Sequence, residues 1–250
     1  MLIDNVLGNF RFLRGIDIFC SGVVAHPGYE IVHAVFHPLP PLGKGFELVE
    51  RHLEQLQRPL SALCGMELRL PQPLSVQGFR EFNRPYIKKL ADWNLLIEGL
   101  NPVARTNVAP GANPVPEPSM YGFSYTVPAQ YQGATFVVTG VPEVQFREDG
   151  RMEIVEPSDV SPIGLRQKAE GVMQVLTTLL QALQVRWADV TALGIYTVRD
   201  IHPLLATTIL PALHGAGRHA ICWHYAWPPV VELEIEIDVR CVRQEIVLPG

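Results

Sequence analysis

The sequence predicts a mixed α/β (α+β) chain built from two tandem β-α-β-α-β-β units. Three observations carry this. A helical period runs through "GLRQKAEGVMQVLTTLLQALQV" (164–185), which keeps its apolar residues on one face over several turns. A two-residue alternation runs through "VVELEIEIDVRCV" (230–242), setting Val231, Leu233, Ile235 and Ile237 against Glu232, Glu234, Glu236 and Asp238. The order of strand-like and helix-like runs in the second half then repeats in the first.

In the first half, "IDIFCSGVVA" (16–25) is a strand ending in Ser21-Gly22, and "GFELVERHLEQLQRPLSALCG" (45–65) is a helix with a kink at Pro59. "MELRLPQPLSV" (66–76) is a strand of edge character, because its prolines cannot donate to a ladder. "GFREFNRPYIKKLADW" (78–93) is a helix, and "PVARTNV" and "SMYGFSYTV" (119–127) are strands. In the second half, strands are expected at 134–144, 188–198, 219–225 and 230–242. Helices are expected at 164–185 and 201–215, the latter with Pro203 early and Gly215 at its exit. The units divide as 1–128 and 129–250, with the seam near Pro128 to Gly133. A second parse gives "YGFSYTVP" to the later unit. The Pro/Gly-rich "PGANPVPEPS" (110–119) has linker composition but falls inside the first unit.

Composition narrows the function classes. Apolar residues make up 48% and charged residues 18%, enough for a substantial core. A net charge of −5 leaves no basic excess for nucleic acid. No apolar run is long enough to span a membrane, and the acid-bearing N-terminus does not read as a signal peptide. Cys20, Cys64, Cys222 and Cys241 are scattered, as expected of free thiols in a reducing compartment, so a cytoplasmic soluble protein is the expectation.

Few side chains point to chemistry on their own. Arg105, in "PVARTNV", is either a planar fork for a carboxylate or one half of a surface salt bridge. His33 and His37 share a strand face but stand about 13 Å apart, and His219 and His224 face opposite sides, so no metal site is expected. Cys20 and Cys222 read as small core residues. Trp223, Tyr225 and Trp227 fall on one face by alternation, lining an interface or an apolar pocket.

The stretches "YGFSYTVPAQYQGATFVVTGVPEV", "ADVTALGIYTVRD" and "PPVVELEIEIDV" resemble the YjgF-like reactive-intermediate deaminase (RidA) family over nearly all of the second half. The first half is similar through "FCSG", "FREFNRPY" and "PVARTNV". The resemblance implies a chorismate-mutase-like fold, a homotrimer with clefts between subunits, and hydrolysis of imines or enamines without metal or organic cofactor. Residue by residue, it makes Ser21 the strand-end serine, Asn83 the helix asparagine and Arg105 the carboxylate-binding arginine. Thr139, Thr208 and His219 stand at those positions in the second half, with Arg218 one step off. Glu234 matches the final-strand glutamate that orients water. The corresponding first-half strand, which carries Tyr125, offers no glutamate, and Glu117 lies just ahead of it. The expected function is therefore deamination of a small imine or enamine carboxylate. Arg105, Glu234 and Glu117 are the catalytic candidates, and Arg105, Asn83, Ser21, Tyr125 and His219 are the binding candidates. The alternatives are a chorismatase-like lyase or hydrolase on a cyclic carboxylate, and a carboxylate binder without catalysis.

Overall fold

Strands buried on both faces dominate the architecture, and they explain where the sequence pattern misleads. The computed structural model describes residues 1–130, 132–146, 152–213 and 216–250. Strands β1 (Leu2–Asn5), β2 (Phe10–Leu13), β3 (Gly22–Ala25) and β4 (Tyr29–Phe36) lead into α1 (Leu42–Gln55) and β5 (Leu63–Arg69). Next come α2 (Val76–Asp92), β6 (Ala104–Pro110) and β7 (Ser119–Pro128). The second half runs through β8 (Phe136–Pro142), the short pair β9 (Val144–Phe146) and β10 (Met152–Ile154), α3 (Pro162–Ala182) and β11 (Ala192–Tyr196). It continues with α4 (His202–Leu204), a π-helical turn (Leu205–Ile209), α5 (Leu210–Ala212), β12 (Ala220–His224), β13 (Ala226–Trp227), β14 (Glu236–Cys241) and β15 (Gln244–Leu248).

Two sheets result. One has the order β13-β6-β5-β7-β4-β15 and the other β1-β2-β3-β8-β14-β11-β12. Their central quartets, β6-β5-β7-β4 and β12-β11-β14-β8, have the same order and the same single parallel pair. The tandem β-α-β-α-β-β plan is thus present in the topology. Helices α1 and α2 cover the outer face of the first sheet, where Leu53, Leu68, Tyr86, Leu90 and Phe123 pack. Helix α3 and the 202–213 segment cover the other through Val172, Leu176, Ile209 and Ile237. Between the inner faces lies a third core that includes Phe10, Phe12, Val23, Ile31, Cys64 and Ala104.

Several expectations are corrected. The first unit opens with β4 and not with the run 16–25, whose strand β3 pairs antiparallel with β8 of the second unit. Every residue of β4 between Glu30 and Ala34 is buried, so it has no alternation to betray it. Helix α1 ends at Gln55, ten residues before the expected 65, because Gln57 takes a left-handed φ of 53°. Pro59 lies beyond it and kinks nothing. Strand β5 sits between β6 and β7 and is no edge strand, because Pro71 and Pro73 fall after its last residue. The 201–215 helix is interrupted by the π turn between α4 and α5, where Pro211 removes a donor; Pro203 lies in the first turn and is tolerated there, and Gly215 lies outside the described residues. Trp223 and Trp227 belong to different sheets, so the three rings do not share a strand face. Cys222 is exposed and not a core residue. Among the described residues no helix is long and apolar enough to cross a membrane.

Candidate functional site

Arg105 leaves β6 on the helix-covered face and is only 3% exposed. Its guanidinium lies over the Tyr86 ring of α2, with Cζ 3.8 Å from the centroid, and 5.8 Å from that of Phe82. Nε donates to Asn107 Oδ1 at 2.9 Å, whereas Nη1 and Nη2 are buried and, the Tyr86 side chain apart, meet no hydrogen-bond partner among the described residues. Burial pulls the guanidinium pKa down to about 10, partly opposed by Tyr86, so the group stays charged at neutral pH. Asn83 lies one turn before Tyr86 on the same face of α2 and is fully buried. Its Nδ2 donates to Phe79 O at 2.7 Å, and its Oδ1 is unpaired, as is Tyr86 Oη. Burial pushes the Tyr86 phenol up to about 12. Four polar atoms of three neighbouring residues thus remain unsatisfied in one dry place. That is costly for a fold and characteristic of a binding site.

The remaining candidates are dispersed. The Ser21 hydroxyl turns away to donate to Arg14 O at 3.1 Å. Thr139 is no second copy of Ser21: it holds the arginine's backbone, with Oγ1 accepting from Arg105 N at 3.0 Å and donating to Arg105 O. Tyr125 of β7 turns toward α1, where its hydroxyl meets His52 Nε2 at 2.9 Å. Glu117 lies in the exposed loop before β7, and His219 is exposed ahead of β12. Thr208 is buried in the π turn. Glu234 is gripped by Arg199 at 2.8 and 3.2 Å. Its backbone N–H and that of Ile235 are taken by the Glu143 carboxylate, which pairs with Lys168 at 3.5 Å where neither side chain has exposure.

A polar layer between the sheets escaped the sequence reading, since alternation marks acids as solvent-facing. Asp238, Glu67, Arg240 and His33 are brought together there. Asp238 Oδ2 accepts from Thr106 Oγ1 at 2.9 Å and Tyr196 Oη at 3.1 Å. Glu67 lies 3.4 Å from His33 Nε2 and 3.7 Å from Arg240. The small cavity beside them, lined by Thr106, Ser124 and Asp238, has room for about one water and none for a substrate. Glu236, two residues earlier on β14, takes the backbone N–H of Asn107. Gly140 makes room for it, because a methyl group there would collide with its carboxyl. Burial, then Asp238 and Glu143, push Glu236 well above the usual carboxylate range.

The layer has a pH signature. Burial, reinforced by Arg240, pushes His33 well below the ordinary imidazole value. Below about pH 6.5 the unfolded chain therefore takes up a proton that the native imidazole refuses, and stability falls as pH drops, by up to about 1.4 kcal/mol per pH unit. Asp238 and Glu236, both raised, act in the opposite sense and gain stability on acidification. His33→Gln should thus shift the acid-unfolding midpoint, followed by circular dichroism, to lower pH. An unmoved midpoint would refute this account.

The model of the family described as 2-aminomuconate deaminase CnbZ matches residues 2–246. The chain belongs to this family. A relative, 2-amino-5-chloromuconate deaminase of Comamonas testosteroni, is 37% identical over 244 residues, covering 96% of each chain. A crystal structure of a chorismatase, 13% identical with a TM-score of 0.51, covers 96% of this chain and 78% of its own, and shows the shared fold alone. The YjgF gene product of E. coli, 15% identical with a TM-score of 0.29, covers 44% of this chain and 81% of its own. Membership of the CnbZ family favours the deaminase reading over the chorismatase-like alternative and the carboxylate binder.

Proposed function

We propose that this CnbZ-family chain hydrolyses the C–N bond of a 2-amino enamine carboxylate of the 2-aminomuconate class. One observation carries the reading: the buried Arg105 fork, with both terminal nitrogens unpaired beside Asn83 and Tyr86. A guanidinium holds a carboxylate through two parallel charge-assisted bonds, and a dry surrounding strengthens them. The bound carboxylate is the one next to the C–N carbon. There the cation withdraws electron density and favours addition of water to the imine tautomer. Water adds to that carbon, the C–N bond breaks, and ammonia leaves with a 2-oxo acid as the other product. Asn83 Oδ1, an acceptor, suits the substrate N–H.

The proton carrier is assigned to Glu236, the acid linked to the fork through Asn107, because burial favours the protonated form of its carboxyl, which can donate. Within one chain Glu234 is held by Arg199 and not by the fork. Its partner Arg199 stacks on Trp227, which pairs with Ala109, about 13 Å along the strand from Arg105. Glu117 contacts none of these groups. The reading includes a homotrimer in the cytoplasm, in keeping with the resemblance to trimeric enzymes and with the free cysteines. Purified protein should release ammonia from freshly generated 2-aminomuconate and no pyruvate from chorismate. Ammonia release no faster than in buffer would sink the proposal.

A further inference from the structure

Strand β6 has an incomplete outer edge. Cys20 bridges it at Ala104 and β13 pairs with it at Ala109 and Pro110, but among the described residues no strand forms a backbone ladder with the positions between. Side chains of the second half occupy that gap. Thr139 of β8 holds both backbone groups of Arg105, Asp238 of β14 holds the Thr106 hydroxyl, and Glu236 holds the Asn107 N–H. Glu236 and Asp238 are both buried and face the same way, so their repulsion opposes folding. Asp238 Oδ1 has no hydrogen-bond partner among the described residues. Such a pair contributes little to stability.

We infer that Asp238 is a positioning residue for Arg105: through Thr106 it fixes the backbone of β6 at the point where the arginine side chain departs. The second unit thereby aims the first unit's carboxylate clamp. A fork held within a fraction of an ångström binds both oxygens, whereas one on a loosened strand binds one. This inference rests on the proposed role of Arg105.

The test uses the whole chain, with muconate as an unreactive dicarboxylate probe and 2-aminomuconate as substrate. Thr106→Val removes the donor at constant volume and should weaken muconate binding and raise KM by about tenfold, with kcat within about twofold. Thr106→Ser restores the hydroxyl and should recover parental KM. Tyr196→Phe removes the other donor to the same Asp238 oxygen while keeping the ring that packs on Val108 of β6, and should leave KM unchanged. Parental KM in Thr106→Val, or equal rises in the Thr106→Ser or Tyr196→Phe variants, would overturn the inference. Thr106→Ala, which cannot clash, replaces the valine variant if that one does not fold. Arg105→Lys in the same binding assay separates the two claims. If it binds muconate like the parent, the clamp reading falls. If it loses binding while Thr106→Val does not, the positioning inference alone falls.

Discussion

Arg105→Met should melt above the parent and release no ammonia. The native guanidinium is desolvated, yet among the described residues only Asn107 and the Tyr86 ring face it and no carboxylate does, so the free protein carries a buried charge that is only partly offset. Methionine fills the space on the Tyr86 ring with a polarisable thioether and carries no desolvation penalty. Replacing buried charges with apolar side chains is commonly neutral or stabilising, by about 1–4 kcal/mol. Function moves the other way, since the carboxylate loses both of its bonds. Arg105→Lys keeps the charge but not the fork, and should cost about 1–3 kcal/mol in turnover or binding. From sequence alone Arg105 reads as a residue of an exposed cleft with little bearing on the fold. Its burial changes that expectation from a neutral melting temperature to a raised one. Thermal unfolding and ammonia release, measured on both variants, check the result. A melting temperature far below the parent's would make the arginine structural.

Glu143→Ala should do the reverse and destabilise the chain by about 3–5 kcal/mol, the usual consequence of breaking a buried pair. Glu143 is a charge whose partners are all present. Its carboxylate accepts from the backbone of Glu234 and Ile235 and faces Lys168, itself bonded to Val155 O at 2.8 Å. Alanine would strand the ammonium and two N–H groups in a dry interior. Urea denaturation should show a lower midpoint with an unchanged slope. A stability within about 1 kcal/mol of the parent would mean that water reaches the Lys168 ammonium.

The two residues show what a sequence can and cannot reveal. The repeated element order was legible because amphipathic helices such as α3, and strands bounded by turn residues, carry their period in the residues themselves. Arg105 and Asn83 were legible through the motifs around them, and the structure does bring them together. Strand β4 was not, because a strand buried on both faces has no period to read. Glu234 and Glu236 were indistinguishable, since alternation gives which acids share a face and not what that face meets. Only the packing of β14 against β6 separates an acid held by Arg199 from one that reaches Asn107. Thr139 looked like a diverged copy of Ser21 because the pairing of β3 with β8 is a contact across the whole chain.

The exchange of strands between the halves has a practical consequence. The first 25 residues complete the sheet that supports Asp238 and Glu236, whereas β15, near the other terminus, lies beside β4 in the sheet that bears Arg105. Each terminus is therefore stitched into the opposite half, like the two straps of a buckle. A tag, fusion partner or truncation at one end is felt at the far side of the molecule. Neither half can be excised as a working module, because each would leave with strands that its counterpart needs.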